Sequence, residues 1–308
     1  MNLTALFNAM PGAVAQGLIW GIMAIGVYIT YQVLNLADLT VDGTMATGGA
    51  VCVMLMLNGV NVWIALVCAV LAGMLAGLVT GVFHTAMGIP PILAGILTQL
   101  SLYSVNLAVM AFKANQGINV TKYPLIVSQR SVRVWGWNNP ILTAVIFLAL
   151  LIAVLYWFFG TELGSALRAT GANEAMSRAQ GINTDTAKIL GLMISNGIVA
   201  LSSVLLSHYQ GFVDVNMGRG AIVIGLAAVI ISEVIFGRLF RNFALKLTGV
   251  AIGAVIYYIV IQIVLWLGLN TNLLKLLSAL IVAVFLGVPY WKAQLAARHA
   301  GKGGREHA

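Results

Sequence analysis

Two carboxylates stand out first, because the chain has so few. Asp38 and Asp42 are the only acids before Glu162, and no lysine or arginine precedes Lys113. A carboxylate at membrane depth is costly, so it lines a cavity, meets a partner or caps a helix. The four-residue spacing predicts both on one helical face, while Gly43, Gly48 and Gly49 permit a break or a close approach around a polar passage. Asn35, Thr40 and Thr44 in the same stretch, and Asn106 further on, supply amides and hydroxyls for such a route. The competing reading has Asp38 capping a helix and Asp42 at the water interface. His84, His208 and Glu233 offer metal-binding chemistry, but no i, i+4 pair or other ligand spacing joins them, so no metal site is expected. Cys52 and Cys68 lie in apolar runs and read as small core residues, neither a disulfide nor a metal pair.

The segments that must position these groups are membrane helices. Of the 308 residues, 61% are hydrophobic and 8% charged, and the mean hydropathy is +0.99. Soluble domains carry about 25% charged residues, so an integral membrane protein is expected. Continuous apolar runs disfavour a barrel and indicate an all-α polytopic bundle of about eight to ten transmembrane helices. No basic n-region precedes the first apolar stretch, which is expected to stay as a helix and not to act as a cleaved signal.

In order, an interfacial Met1 to Gly12 leads to helices over about 13–30, 40–57, 62–83, 92–112, 141–159, 187–208, 221–236, 247–267 and 273–288. Gly73, Gly77 and Gly81 form a small-xxx-small row for close helix packing. Residues 1–290 form one transmembrane domain, followed by a basic tail, 291–308.

Between two apolar runs lies a polar island with Glu162, Arg168, Glu174, Arg178, Asp185 and Lys188. Its composition predicts a short surface helix near Glu174–Ala179, stopped at Gly181. A plain solvated loop helix is the bland alternative. The stretch LRATGANEAMSRAQGIN, with Asn35-Leu36-Ala37-Asp38-Leu39-Thr40-Val41-Asp42-Gly43, resembles the branched-chain amino acid and ribose type of ABC-importer permease, in the subgroup associated with amino-acid-like substrates. The resemblance covers about residues 16–289. It implies that residues 161–188 are a cytoplasmic coupling segment, with Gly171, Ala172, Asn173, Glu174, Ala175, Met176, Arg178 and Gly181 meeting an ATP-binding subunit. It also implies a second permease subunit as a homodimer, an extracytoplasmic substrate-binding protein, and residence in a bacterial inner membrane. The chain has no G-x-x-x-x-G-K-[ST] loop, so no cofactor is expected in it, and ATP and Mg would sit on the partner ATPase.

Charge suggests the orientation. A cytoplasmic island puts Arg168, Arg178, Lys188, Arg238, Arg241, Lys246, Lys292, Arg298, Lys302 and Arg305 inside with the C-terminus, which is ten of the sixteen bases. These bases fall in loops and the tail, as membrane proteins require, so a nucleic-acid partner is not expected. The same alternation puts Lys113, Lys122, Arg130 and Arg133 outside, as a docking surface for an acidic binding protein or as contacts to lipid headgroups. Residues 36–43 recur loosely at 212–219, an offset of 176, which suggests a duplicated bundle. An ion-coupled secondary transporter using Asp38, Asp42 or Glu233 shares these features but does not need the island.

Overall fold

In a computed structural model the protein is described over residues 3–120, 122–132, 139–237, 239–240 and 242–268, and at scattered positions between 273 and 287. It is an all-α bundle whose helices are α1 (Leu3–Tyr28), α2 (Thr40–Leu57), α3 (Val62–Thr85), α4 (Pro91–Val109), α5 (Pro140–Gly160), α6 (Glu162–Ala172), α7 (Glu174–Ala179), α8 (Thr184–Gln210), α9 (Ala221–Phe236) and α10 (Phe243–Trp266). Among the described residues, seven helices are long and apolar enough to cross a membrane, and α9 is a shorter apolar helix. At 1.5 Å per residue its 16 residues reach about 24 Å, less than the ~30 Å hydrocarbon core. Of the expected last helix, near 273–288, only scattered positions are described, and the tail with Lys292, Arg298, Lys302 and Arg305 lies outside the described residues.

Three expectations change. The first helix begins at Leu3 and runs through Pro11, with no separate interfacial stretch. Proline removes one backbone donor, a loss that membrane helices tolerate. The helix then widens into a π-helical turn, Ile29–Val33, and Asn35 turns the chain with a left-handed φ of 55°. Second, the island holds two helices, α6 and α7. Third, the long loop after α4 is structured: β1 (Asn115–Gly117) pairs antiparallel with β2 (Phe212–Asp214), Gln116 opposite Val213. Ile118, Val213 and Val215 are buried under this ribbon. The loop is therefore tied to the bundle at the end opposite the island, since α5 runs between the two.

The halves are related by inversion. α1 runs toward the island end, whereas α8 runs away from it. The starts of α2 and α9, Thr40 and Ala221, differ by 181 residues, and so do those of α3 and α10, Val62 and Phe243. Packing repeats in the same way: α3 lies on α8 as α10 lies on α1, and α2 lies on α8 as α9 lies on α1. The duplication is real, but its register is 181 and not the 176 of the sequence echo. The reason is local. Asp38 accepts the backbone N–H of Thr40 at the start of α2, whereas Asp214 accepts that of Asn216 in a turn well before α9.

Small residues set the spacing. Gly17 and Gly21 of α1 sit against Val255 and Ala251 of α10, and Gly73, Gly77 and Gly81 of α3 against α8. A Cβ at Gly77 would overlap the Leu192 carbonyl oxygen, so these backbones touch directly.

Candidate functional site

The N-terminus of α2 starts inside the bundle, not at its edge. Its first hydroxyl, Thr40 Oγ1, lies 2.7 Å from Thr80 Oγ1 of α3, and Thr80 donates to Thr98 of α4 at 2.9 Å. Asp38 is 3% exposed: one carboxylate oxygen accepts Thr40 N–H at 2.9 Å and the other accepts Asn196 Nδ2 of α8 at 2.8 Å. A carboxylate only accepts here, so the Asn196 amide must turn its NH₂ toward Asp38 and its oxygen toward Thr44, whose hydroxyl donates at 2.7 Å. The same NH₂ also reaches the Leu192 carbonyl at 3.0 Å. Asp38, Thr40, Thr44, Thr80, Thr98 and Asn196 thus form one buried polar seam joining α2, α3, α4 and α8.

Asp42 does not share it. α2 begins at Thr40, so Asp38 stands outside the helix and the one-face expectation fails. Half-buried Asp42 instead accepts Gly220 N–H at 2.9 Å and Ile222 N–H at 3.0 Å. It therefore caps α9, whose own N-cap, Gly220, offers no side chain. Asp38, just before the N-cap Leu39, accepts from the first residue of α2, whereas Asp42, expected at the water interface, holds the start of a helix in the other repeat.

The other expected groups separate. Asn106 donates to the Gly43 carbonyl at 3.4 Å, and its own carbonyl oxygen is buried without a partner. Asn35 is exposed in the turn at the island end, away from the seam. His84 bonds the Ile89 carbonyl there, whereas His208 lies in the last turn of α8 at the opposite end. Glu233 borders a cavity of about 100 Å³ with Tyr28, Gln32 and Lys246. Asn196, Thr80, Thr98 and Ser203 escaped the sequence reading. Ser203, in α8, accepts the Gly49 N–H at 2.8 Å and donates to the Met45 carbonyl, fixing α2 on α8. Their signal was present as polar residues inside apolar helices, where membrane proteins place interhelical hydrogen bonds.

The island is built by caps. Thr161 caps α6, Asn173 caps α7 through Met176 N–H at 3.0 Å, and Asn183 caps α8. Gly181, at φ 84°, ends α7, and Ile182 N–H returns to the Ser177 carbonyl. Glu174 accepts from Lys188 at 2.7 Å and Arg178 at 3.0 Å, and Arg178 also reaches Asp185 at 3.4 Å. The hydrogen bond from Lys188, helped by the nearby positive charges, holds the Glu174 carboxyl below its ordinary range against a weaker upward push from burial. A depressed acid keeps its contribution above its unfolded pKa and loses it as pH falls through the folded value. The clasp is therefore expected to persist in mild acid and open below the usual carboxylate range, which following the Glu174 carboxyl resonance by NMR would check.

Ala172, Asn173, Ala175 and Gly181 are exposed, and Met176 projects with 52% of its surface free. Gly171 packs where a Cβ would meet the Val33 carbonyl, joining α6 to the end of the first membrane helix. On the far side Lys113, Lys122 and Arg130 are exposed, with Lys122 Nζ 5.7 Å from the centre of the Tyr123 ring, and Arg133 lies outside the described residues.

Two inverted halves meeting at a buried polar seam, with a capped clasp outside the bundle, define a membrane transport subunit. Residues 10–288 match the family described as branched-chain amino acid transport system / permease component, and the chain belongs to it. It is 38% identical over 279 residues to a tyrosine transport system permease protein of Clostridioides difficile (strain R20291), covering 91% of this chain and 90% of that one. It is 27% identical to the fructose import permease protein FruF of Bifidobacterium longum (strain NCC 2705), over 80% of this chain and 68% of the other. The fold is shared with PsaBC from Streptococcus pneumoniae in complex with Fab, at a TM-score of 0.53 and 14% identity, over 93% of this chain and 95% of that one. The chain is a multi-pass permease subunit of an ABC-type importer, not an ion-coupled secondary transporter.

Asp38→Asn tests the seam. The new amide has one acceptor oxygen for two donors, so its NH₂ must face either the Thr40 N–H or the Asn196 NH₂, unless Asn196 turns and breaks its bond to Thr44. A loss of about 1–3 kcal/mol in denaturant unfolding is expected. Full stability would mean that the seam reorganises without cost.

Proposed function

We propose that this permease carries a small amino-acid-like solute through the inner membrane of a bacterium, driven by ATP and Mg on a separate ATPase subunit. The observation that carries the reading is the capped island, which offers Ala175 and Met176 on a short helix that the Glu174–Lys188 pair ties to α8. A groove on an ATPase is the partner such a short helix fits, so the island is cytoplasmic, and the C-terminus with it. A second copy of the chain completes the route, and a substrate-binding protein delivers solute at the opposite end. The amino-acid class follows from the family and from the tyrosine permease relative. The seam at Asp38, Thr40 and Thr44 braces the wall of the route beside Asn106, and Asp42 holds the two repeats in register.

Bulky replacements of Ala175 or Gly181 are expected to leave the protein inserted and to cut solute uptake in proteoliposomes at least tenfold while ATP hydrolysis continues. Unchanged uptake and unchanged co-purification of the ATPase would refute the coupling role.

The exposed bases of the ribbon loop suit docking to an acidic partner. Arg130→Glu should lower ATPase stimulation by the binding protein while basal hydrolysis persists. The difference should shrink with added salt, because rim charges act through an encounter screened over ~8 Å at physiological ionic strength. Equal loss of both activities would indicate damaged folding. An impermeant thiol reagent applied to a cysteine at Lys122 tests the side.

A further inference from the structure

Among the described residues, a nucleophilic cluster that neither the seam nor the island uses lies in the interior. Cys52 and Met56, one turn apart on α2, face His208 on α8. The three side chains are fully or almost fully buried. His208 Nε2 lies 3.2 Å from Met56 Sδ and 3.5 Å from Cys52 Sγ, and the two sulfurs are 4.0 Å apart. The other imidazole nitrogen, Nδ1, is buried with no partner. Sulfur is a weak hydrogen-bonding group, so this imidazole lacks a strong partner on either side, an exception that needs an explanation.

A circle through three points separated by 3.2, 3.5 and 4.0 Å has a radius of about 2.1 Å. That is the distance at which a closed-shell first-row ion such as zinc holds imidazole nitrogen and sulfur, about 2.0–2.3 Å. We propose that Cys52, Met56 and His208 form a trigonal site for a soft monovalent cation, copper(I), that clamps α2 to α8.

Ligand type selects the metal: thiolate and thioether favour copper(I) over hard cations. Charge selects it again. On binding, the Cys52 thiol loses its proton to solvent and the Sγ–Cu bond forms, while His208 Nε2 and Met56 Sδ each donate a lone pair. No electron is transferred. One thiolate and one monovalent ion leave the site neutral, as an apolar surrounding requires, whereas a divalent ion would leave a buried positive charge. Met56 and His208 lie two and three residues before the helix-ending Asn58 and Gly211, which gives the site an approach from the loop end. The clamp joins one helix from each repeat, so loading would restrain their relative motion.

The test is anaerobic titration of the tag-free purified permease with copper(I) against bicinchoninate, with x-ray absorption on the loaded protein. The wild type and Cys68→Ser should each withdraw one equivalent from the chelator, with one nitrogen and two sulfur neighbours. Met56→Leu should bind at least tenfold more weakly, and Cys52→Ser and His208→Gln should not compete. Met56→Leu keeps volume and polarity close to the original, so it decides the matter if the other variants fail to insert. Equal uptake by all variants, or a shell of nitrogen and oxygen alone, would mean an adventitious ion only and overturn the site. No withdrawal by the wild type would overturn it as well.

Discussion

Replacing Asp42 with alanine is expected to destabilise the protein by about 2–4 kcal/mol and to abolish uptake, although no solute need touch this residue. The carboxylate accepts two backbone N–H groups at the start of α9, from Gly220 and Ile222. The cap is these two bonds, and each half-buried donor left without a partner costs about 1–2 kcal/mol, the lower part of the range for buried groups. The fixed partial positive charge of the helix end also loses its counter-charge. At the start of α9, Gly220 and Ile222 are only half-buried, which keeps the expected loss below that for fully buried donors. Asp42→Asn keeps one acceptor oxygen but sets an amide donor against a backbone donor, so an intermediate loss is expected. Denaturant unfolding in detergent measures both. Near-wild-type stability of Asp42→Ala would mean that water replaces the carboxylate and that the cap is dispensable.

Gly171→Val is expected to reduce uptake by at least tenfold while ATP hydrolysis by the assembled transporter continues. A Cβ at this position overlaps the Val33 carbonyl oxygen and crowds Leu34, so α6 must swing away from the π-helical end of the first helix. On the proposed coupling reading, that packing contact is one way movement of the island would reach the bundle, beside the chain connections to α5 and α8 and the Arg168 bond to the Phe159 carbonyl. The clasp of Glu174, Arg178 and Lys188 does not depend on it, so the docking proposed for α7 should survive the substitution. Comparing hydrolysis and uptake in the same proteoliposomes separates uncoupling from loss of assembly. Parallel loss of both activities, with lower yield of inserted protein, would show that Gly171 serves folding alone. Gly171→Ala should fall between the two, because a methyl group still meets the carbonyl but needs a smaller displacement.

The membrane class, the helical fold and the island were legible in the sequence because each rests on local chemistry. Apolar runs of about 20 residues and a glycine stop at Gly181 act within a turn or two of themselves. The rarity of acids also drew attention to Asp38 and Asp42, both of which hold donors inside the bundle. Their partners were not legible, because Asn196 is 158 residues from Asp38 and Gly220 is 178 from Asp42. Spacing placed the two acids on one helical face, yet the helix begins between them and sends them to different neighbours. The repeat could be suspected from the echo at 176, but its register of 181 emerges only from where the paired helices begin and which of them pack together. Local composition determined what each segment is. Which segments meet, and so which polar atoms are satisfied in an interior without water, was decided by the tertiary structure.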